Sequence, residues 1–311
     1  MPRSVEILFL GTSAGTPTAS RGLPSILVTD WNGFSILLDA GEGVQYRLRE
    51  TGVHPTRIDA ILVTHAHGDH INGLPGLLQT MYMLDRSRPL LIAGPPSVIE
   101  FVKDVLDVES YDFGFTLHLA PLPPEGDATL ASRGGDSLSL QWAPACHTVD
   151  SRAYRLEWRL RPRLDPQKIR LLLGEGPAVR ELIERGSTAR SGRVVRLEDV
   201  VSEPPRRLAI TYTGDTSEPC PPVERLASGS RILIHDSTFD RSLEREAVRR
   251  GHSSARLAAE AAARARAHLL VLTHISARYE GREARKLLEE ARVVFPRVIL
   301  AWDGLRLTAQ A

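Results

Sequence analysis

The sequence predicts a layered α/β protein in which helices cover two packed sheets. Three features point there. Short apolar runs recur in both halves of the chain and stop at Gly, Pro or Asp, as strands do. In the second half these runs alternate with stretches rich in Ala, Leu, Glu and Arg, the residues that favour helix. The strand-like runs there end on polar residues: Gly214-Asp215, His235-Asp236, His274 and Asp303. Strand–helix alternation in each half is the pattern of helices laid on sheets.

In chain order, strands are expected at Val5 to Leu10, Phe34 to Leu38 and Ile58 to Thr64, the last leading into a loop dense in His and Asp. Ile71 to Leu84 has helical spacing, with Leu74, Leu77, Leu78 and Met81 on one face. A strand at Leu90 to Ala93 and a helix at Ser97 to Leu106, with Ser97 as N-cap, come next. Further strands are expected at Phe115 to Leu122, Ser137 to Ala143 and Ala153 to Leu160. Pro162, Pro166, Pro177, Pro204 and Pro205 break residues 161–207, where only a short helix at Ala178 to Glu184 is expected; the segment reads as an inserted arm within a single 1–311 domain. Strands at Leu208 to Tyr212, Arg231 to Ile234, Leu269 to Thr273 and Val298 to Ala301, with helices at Ser253 to Ala267 and Arg282 to Val294, complete the chain.

Of the 311 residues, 42% are hydrophobic and 25% charged, an ordinary globular composition. No run of 18 apolar residues is present, which argues against a membrane span. The start, Met1-Pro2-Arg3-Ser4-Val5-Glu6, runs straight into a strand pattern and leaves no room for a signal peptide. Cys146 and Cys220 are too few for a disulfide framework, which suggests a reducing cytoplasm. Net charge is only +1, so nucleic-acid binding would require basic residues gathered in one place. Lys occurs only at 103, 168 and 286, the other basic residues being Arg; a GC-rich genome or a thermophilic source accounts for that skew.

The sharpest signal is His65-Ala66-His67-Gly68-Asp69-His70. Burying so many polar groups without partners would cost several kcal/mol each, by roughly the usual transfer scale. A solvated loop could hold them, but imidazole and carboxylate together suit zinc, with manganese and cobalt as alternatives. His65 and His67 share a side of an extended loop, and Asp69 and His70 can face a neighbouring site. Taken singly, His147 could be a capping or surface histidine, Asp215 a turn residue and His274 a strand-end histidine.

The cluster resembles the His-X-His-X-Asp-His signature of the metallo-β-lactamase superfamily. Within it, nearly the whole chain resembles the ribonuclease Z family: Phe9-Leu10-Gly11-Thr12-Ser13-Ala14-Gly15-Thr16-Pro17, Asp39-Ala40-Gly41-Glu42-Gly43, Gly73-Leu74-Pro75-Gly76-Leu77-Leu78, Tyr212-Thr213-Gly214-Asp215-Thr216 and Leu272-Thr273-His274-Ile275-Ser276-Ala277-Arg278-Tyr279. The resemblance implies a four-layer αβ/βα sandwich with an extruded arm, and an endoribonuclease that removes the 3′ trailer of precursor tRNA. It implies two Zn2+ per subunit, one on His65, His67 and His147, the other on Asp69, His70 and His274, with Asp215 between them. Asp69 would also orient the attacking water. His252, in His252-Ser253-Ser254, would be the general acid, and Asp236, in His235-Asp236-Ser237-Thr238, would orient it. The family has Glu at the latter position, one methylene longer. A helix-terminal His252 capped by Ser253 is the competing structural reading.

From Arg152 to Arg193 the chain carries eleven basic and five acidic residues, +6 in a protein of +1. Such a segment can bind RNA phosphates away from the chemistry. In the resembled family an arm grips the tRNA elbow through a Gly-Pro motif, here Gly176-Pro177, followed by Arg180 and Arg185. Arg278 and Tyr279 either place the RNA end or pack beneath the site. Members of the resembled family usually act as homodimers, so the resemblance implies a second copy of the chain as partner. The alternative is a hydrolase of the same fold acting on a small phosphodiester, sulfate ester or lactone, which would not need the arm.

Overall fold

Apolar runs buried on both faces build two sheets in the computed structural model, which describes residues 3–109, 114–174, 176–190, 192–204 and 206–310. The longer strands of the first half are β1 (Ser4–Gly11), β2 (Ser25–Thr29), β3 (Ser35–Leu38), β4 (Ala60–Leu62), β5 (Leu90–Gly94), β6 (Leu117–Pro121), β7 (Gly126–Arg133), β8 (Asp136–Pro144) and β9 (Arg152–Leu160). The second half adds β10 (Arg206–Tyr212), β11 (Ile232–Asp236), β12 (Leu269–Thr273), β13 (Val298–Leu300) and β14 (Arg306–Gln310). One sheet runs β14-β1-β2-β3-β4-β5-β6 and the other β13-β12-β11-β10-β9-β8-β7. Strands β3 to β6 are parallel, as are β10 to β13.

The chain divides into two compact units, one of 1–128, 139–157 and 208–311, the other of Thr129–Leu138 and Trp158–Arg207. In the first unit, helices α1 (Val44–Glu50), α2 (Gly68–Ile71), α3 (Leu74–Met83) and α4 (Pro96–Glu109) belong to the half that carries the first sheet. Leu8, Leu10, Leu27, Leu37 and Ile61 turn one face of that sheet onto Leu48, Leu74, Leu77, Met81 and Val98. The alternate residues Ile7, Phe9, Ile26, Ile36 and Leu62 are buried as well. Because side chains alternate across a strand, both faces of this sheet are covered, which explains the unbroken apolar runs.

The second unit includes helices α5 (Pro166–Leu172) and α6 (Pro177–Arg185) and a hairpin of Ser187–Arg190 with Arg193–Arg196. Its small core is Leu173, Leu182, Val195 and Val200. The segment is thus more ordered than a single short helix, and the unit also takes in Thr129–Leu138. Glu175 and Pro205 lie outside the described residues.

The remaining helices of the first unit are α7 (Pro221–Leu226), α8 (Glu244–Arg249), α9 (Ala255–Arg264) and α10 (Glu283–Val294). Ala258, Ala259 and Ala262 of α9 pack with Leu233, Leu270, Leu272, Leu287 and Ala291, covering the second sheet. Alanine keeps α9 short-sided, so helix and sheet approach closely.

Several expected boundaries move. The helix expected at Ile71 to Leu84 is split, because Gly73 separates α2 from α3. Ser97 is not a cap: α4 begins at Pro96, where a proline loses no hydrogen bond. The cap of α9 is Ser254, not Ser253; its hydroxyl accepts from the Leu257 N–H. Strands β2, β7 and β14 and helix α1 were not anticipated; β7 is largely exposed and β14 is an edge strand, so neither carries an apolar run. Cys146 and Cys220 form a disulfide, contrary to the expectation from their number. Folding brings two residues 74 apart in sequence to a Cα separation of 5.7 Å, which no count of cysteines reveals.

Gly73 fits because it has no side chain: a Cβ there would lie 2.1 Å from the Gly41 carbonyl oxygen and 2.7 Å from that of Ala40. The Gly73 N–H also donates to the Ala40 carbonyl at 2.9 Å, so the two loops cannot part cheaply. Gly73→Ala is therefore expected to lower the unfolding free energy by about 1–3 kcal/mol. Gly114→Ala, which meets open space, should change it by less than about 0.5 kcal/mol. Denaturant unfolding of the two variants checks the contrast; equal effects would contradict it.

Candidate metal centre

Loops leaving the carboxyl ends of β4, β10 and β12, and the loop between β8 and β9, deliver His65–His70, Asp215, His274 and His147 to one place. Crevices at strand carboxyl ends are where α/β sheets bind ligands. Two adjoining groups result. His65, His67, His147 and Asp215 each offer a ligand atom within 4.8 Å of the others, and so do Asp69, His70 and His274.

Asp215 joins the groups, one oxygen to each. Its Oδ2 lies 3.7 Å from His65 Nε2 and 3.9 Å from His147 Nε2. Its Oδ1 lies 3.1 Å from His274 Nε2 and 3.3 Å from His70 Nε2. Asp69 Oδ2 is 3.4 Å from His274 Nε2 and 3.5 Å from His70 Nε2. In the first group His67 Nδ1 is 2.9 Å from His65 Nε2 and 3.2 Å from His147 Nε2. Ligands about 2.0–2.1 Å from a shared tetrahedral ion sit roughly 3.3 Å apart, the spacing of these atoms.

Whether the residues fit a metal can be tested on their unmet bonds. His70 Nε2 and Asp215 Oδ1 are buried and accept or donate no hydrogen bond. Leaving buried polar atoms so costs about 1–3 kcal/mol each unless something else binds them. Both face the centre, and the donor set is imidazole and carboxylate, so the residues fit a divalent cation.

Other side chains hold the candidate ligands in place. Asp39 Oδ2 takes the Nδ1–H of His70 at 2.7 Å and the hydroxyl of Tyr212 at 2.7 Å, while its Oδ1 accepts from the Thr64 N–H. The Thr238 hydroxyl lies 2.8 Å from His274 Nδ1 and bonds Asp236 Oδ1 at 2.7 Å. The Gly251 carbonyl accepts from His147 Nδ1 at 2.8 Å, and a Cβ at Gly251 would lie 2.8 Å from that same nitrogen. The Gly15 N–H donates to Asp69 Oδ2 at 2.9 Å. Such partners fix tautomer and ring orientation. Asp39, Gly15 and Thr238 stood in recognised motifs without a role, and Gly251 was not singled out; only the fold shows what they touch.

Asp236 and His252 meet beside the cluster, Oδ2 to Nδ1 at 2.9 Å. The shorter Asp arm therefore reaches. Asp236, His252, Asp215 and His274 also lie within ligand distance of one another. Asp236 is already satisfied, however, by His252, the Thr216 and Thr238 N–H groups and the Thr238 hydroxyl. Two polar strand ends go elsewhere. His235 is buried 3.3 Å from Glu218, and Asp303 accepts from Thr12 and the Gly22 N–H. Tyr279 packs beneath, its hydroxyl accepting from the Asp240 N–H, whereas Arg278 is exposed over the Phe239 ring. In the second unit, Gly176 precedes α6, and Arg180 and Arg185 are exposed, each paired with a Glu one turn away.

Electrostatics divide these groups. Burial lowers His65, His67 and His147, leaving neutral imidazoles. Burial would raise Asp215, but His274 and His70 hold it well below the usual carboxylate range. Burial pulls His252 down as well, yet the Asp236 charge and hydrogen bond prevail and carry it up to about 9.

Known proteins share this chain's sequence and shape. A family model described as "Anti-Pycsar protein Apyc1" matches residues 5–109. A ribonuclease Z of Aeropyrum pernix is 47% identical over 98% of both chains. A ribonuclease Z of Methanothermobacter thermautotrophicus is 37% identical over 99% of this chain and 97% of its own. Among solved structures, the short form of human tRNase Z matches with a TM-score of 0.68 at 24% identity, covering 97% of this chain and 98% of that one.

Because His252 is raised in the folded protein, its charge stabilises the fold below its unfolded value near 6.5. That contribution fades as pH climbs through about 9. Metal-free protein should lose roughly 1–3 kcal/mol more between pH 6.5 and 9 than its His252→Gln variant does. Urea unfolding across that range reads the difference; parallel curves would show that Asp236 does not hold the proton.

Proposed function

The chain belongs to the ribonuclease Z family, and from that premise we propose that it removes the 3′ trailer of precursor tRNA with the help of two zinc ions. His65, His67 and His147 would hold one ion and Asp69, His70 and His274 the other, Asp215 giving an oxygen to each. A pair of divalent ions supplies a water that ionises near neutral pH and offsets charge on the phosphate oxygens. The observation that carries this reading is the split of Asp215 between two sets of ligand atoms.

The chain's own residues do the rest. Asp69, held by the Gly15 N–H, orients the attacking water. The ribose 3′ oxygen leaves poorly as an alkoxide and needs a proton. His252 has one at neutral pH because Asp236 keeps it charged, and Nδ1 is engaged by that carboxylate, so Nε2 is the atom that donates. The proton passes to the 3′ oxygen, leaving a 3′-hydroxyl on the tRNA and a phosphate on the trailer. The basic second unit, with Gly176, Pro177, Arg180 and Arg185, would bind the RNA away from the cut. Arg180 and Arg185 lie on the surface, where their Glu pairings are weak and a phosphate can compete.

In this reading the partners are precursor tRNA and a second copy of the chain, for which the exposed Tyr46, Tyr82 and Met83 offer apolar surface. Among the described residues no helix is long and apolar enough to cross a membrane. A tRNA substrate argues for the cytoplasm, where a disulfide such as Cys146–Cys220 is uncommon outside hyperthermophiles.

End-labelled precursor tRNA should be cut once, at the junction with the trailer, and chelator should stop the cut until zinc is restored. Replacing residues 165–195 by a short Gly-Ser linker should reduce that cleavage at least tenfold more than hydrolysis of bis(p-nitrophenyl) phosphate. Equal losses on both substrates would favour a small-ester hydrolase.

A further inference from the structure

The Cys146–Cys220 bridge takes no part in the chemistry, yet Cys146 adjoins His147 and Cys220 follows Asp215 by five residues. His147 sits on a loop between β8 and β9, outside any strand ladder. That loop is tied to the segment after Asp215 at several points. The Ser217 N–H and hydroxyl donate to the Cys146 carbonyl at 2.8 and 2.9 Å, and the Cys146 N–H donates to the Thr216 hydroxyl at 3.2 Å. The disulfide adds a covalent link to the same seam. Around it Ala153, Val223 and Leu226 form an apolar cluster with both cysteines.

We propose that the Cys146–Cys220 bridge is a positioning device for the metal centre, holding His147 in register with Asp215 so that both reach one ion. The inference rests on the metal-centre reading above and adds a dependence of metal affinity on the redox state of two residues that touch no metal. His147 is restrained at its ring by the Gly251 carbonyl, and at its backbone by the seam and by its own N–H bond to the Ala145 carbonyl. Opening the bridge leaves hydrogen bonds and the apolar cluster but no covalent link at the seam, and the loop can then carry the imidazole away from Asp215. The remaining ligands persist, so the ion is held less tightly but is not lost outright.

The test compares zinc-loaded wild type with the Cys146→Ala/Cys220→Ala double variant, in which the apolar cluster persists and no free thiol can bind metal. Zinc retention is followed against rising EDTA, well below the unfolding temperature. The variant should surrender zinc at roughly 10- to 100-fold lower EDTA. Reducing folded wild type with a phosphine supplies the two electrons; water gives its oxygen to the phosphine and its two protons to the thiolates. With the phosphine removed, retention should fall likewise, and oxidised glutathione should restore it. Reduction of the folded protein keeps the proposal testable if the variant does not fold. Equal zinc retention in bridged and unbridged protein would overturn it, even if the unbridged protein melts earlier. Free thiols at both positions in the purified protein would overturn it too. Failure of bridged wild type to retain any zinc would instead sink the metal-centre reading, and this inference with it.

Discussion

One buried carboxylate stands between the two groups of candidate metal ligands. Asp215 is 2% exposed, and its two oxygens face different sets of imidazoles. An ionised carboxylate in such a place is costly unless positive charge stands beside it. Against burial, Asp215 and Asp39 raise His70 well above the usual imidazole range, so it supplies part of that charge, whereas burial keeps His65, His67 and His147 neutral. A cation in each group would supply the rest: the carboxylates would stay ionised, and the orphaned atoms His70 Nε2 and Asp215 Oδ1 would gain a partner.

The rest of the fold can be understood as support for that arrangement. Asp39 lies between the sheets' loops with a positive φ of 58°, and receives His70, Thr64 and the Tyr212 hydroxyl of the other sheet. Thr238 holds His274, itself at φ 57°, and Asp236 at once. Non-glycine residues are held in that region only where their surroundings impose it. Close glycine contacts at Gly73, Gly214 and Gly251 let backbone pass where a side chain would collide. The same Asp236 that Thr238 anchors keeps a proton on His252, so the candidate metal ligands and the proposed proton donor share one scaffold.

Much of this was legible in the sequence. Three imidazoles and a carboxylate at His65–His70 could not all be core residues without partners, and the strand-end positions of Asp215 and His274 follow from apolar runs that stop beside them. The two sheets followed from alternation. What was hidden depends on contacts between distant segments. Asp39 looks like a turn residue until Tyr212, 173 positions away, is seen to donate to it. Strand β7 is polar because most of its residues are exposed, so no apolar period marked it. His235 and Asp303 end strands just as Asp215 does, yet one meets Glu218 and the other an N-terminal loop. Strand ends show where polar groups emerge; only packing decides which of them share a site.

Anomalous X-ray scattering at the zinc edge tests the central claim most directly. Crystals of the zinc-loaded protein should show two peaks about 3.5 Å apart. One should be ringed by His65, His67 and His147, the other by Asp69, His70 and His274, with Asp215 reaching both. A single peak, or peaks that leave Asp215 in contact with one ion or none, would contradict the account.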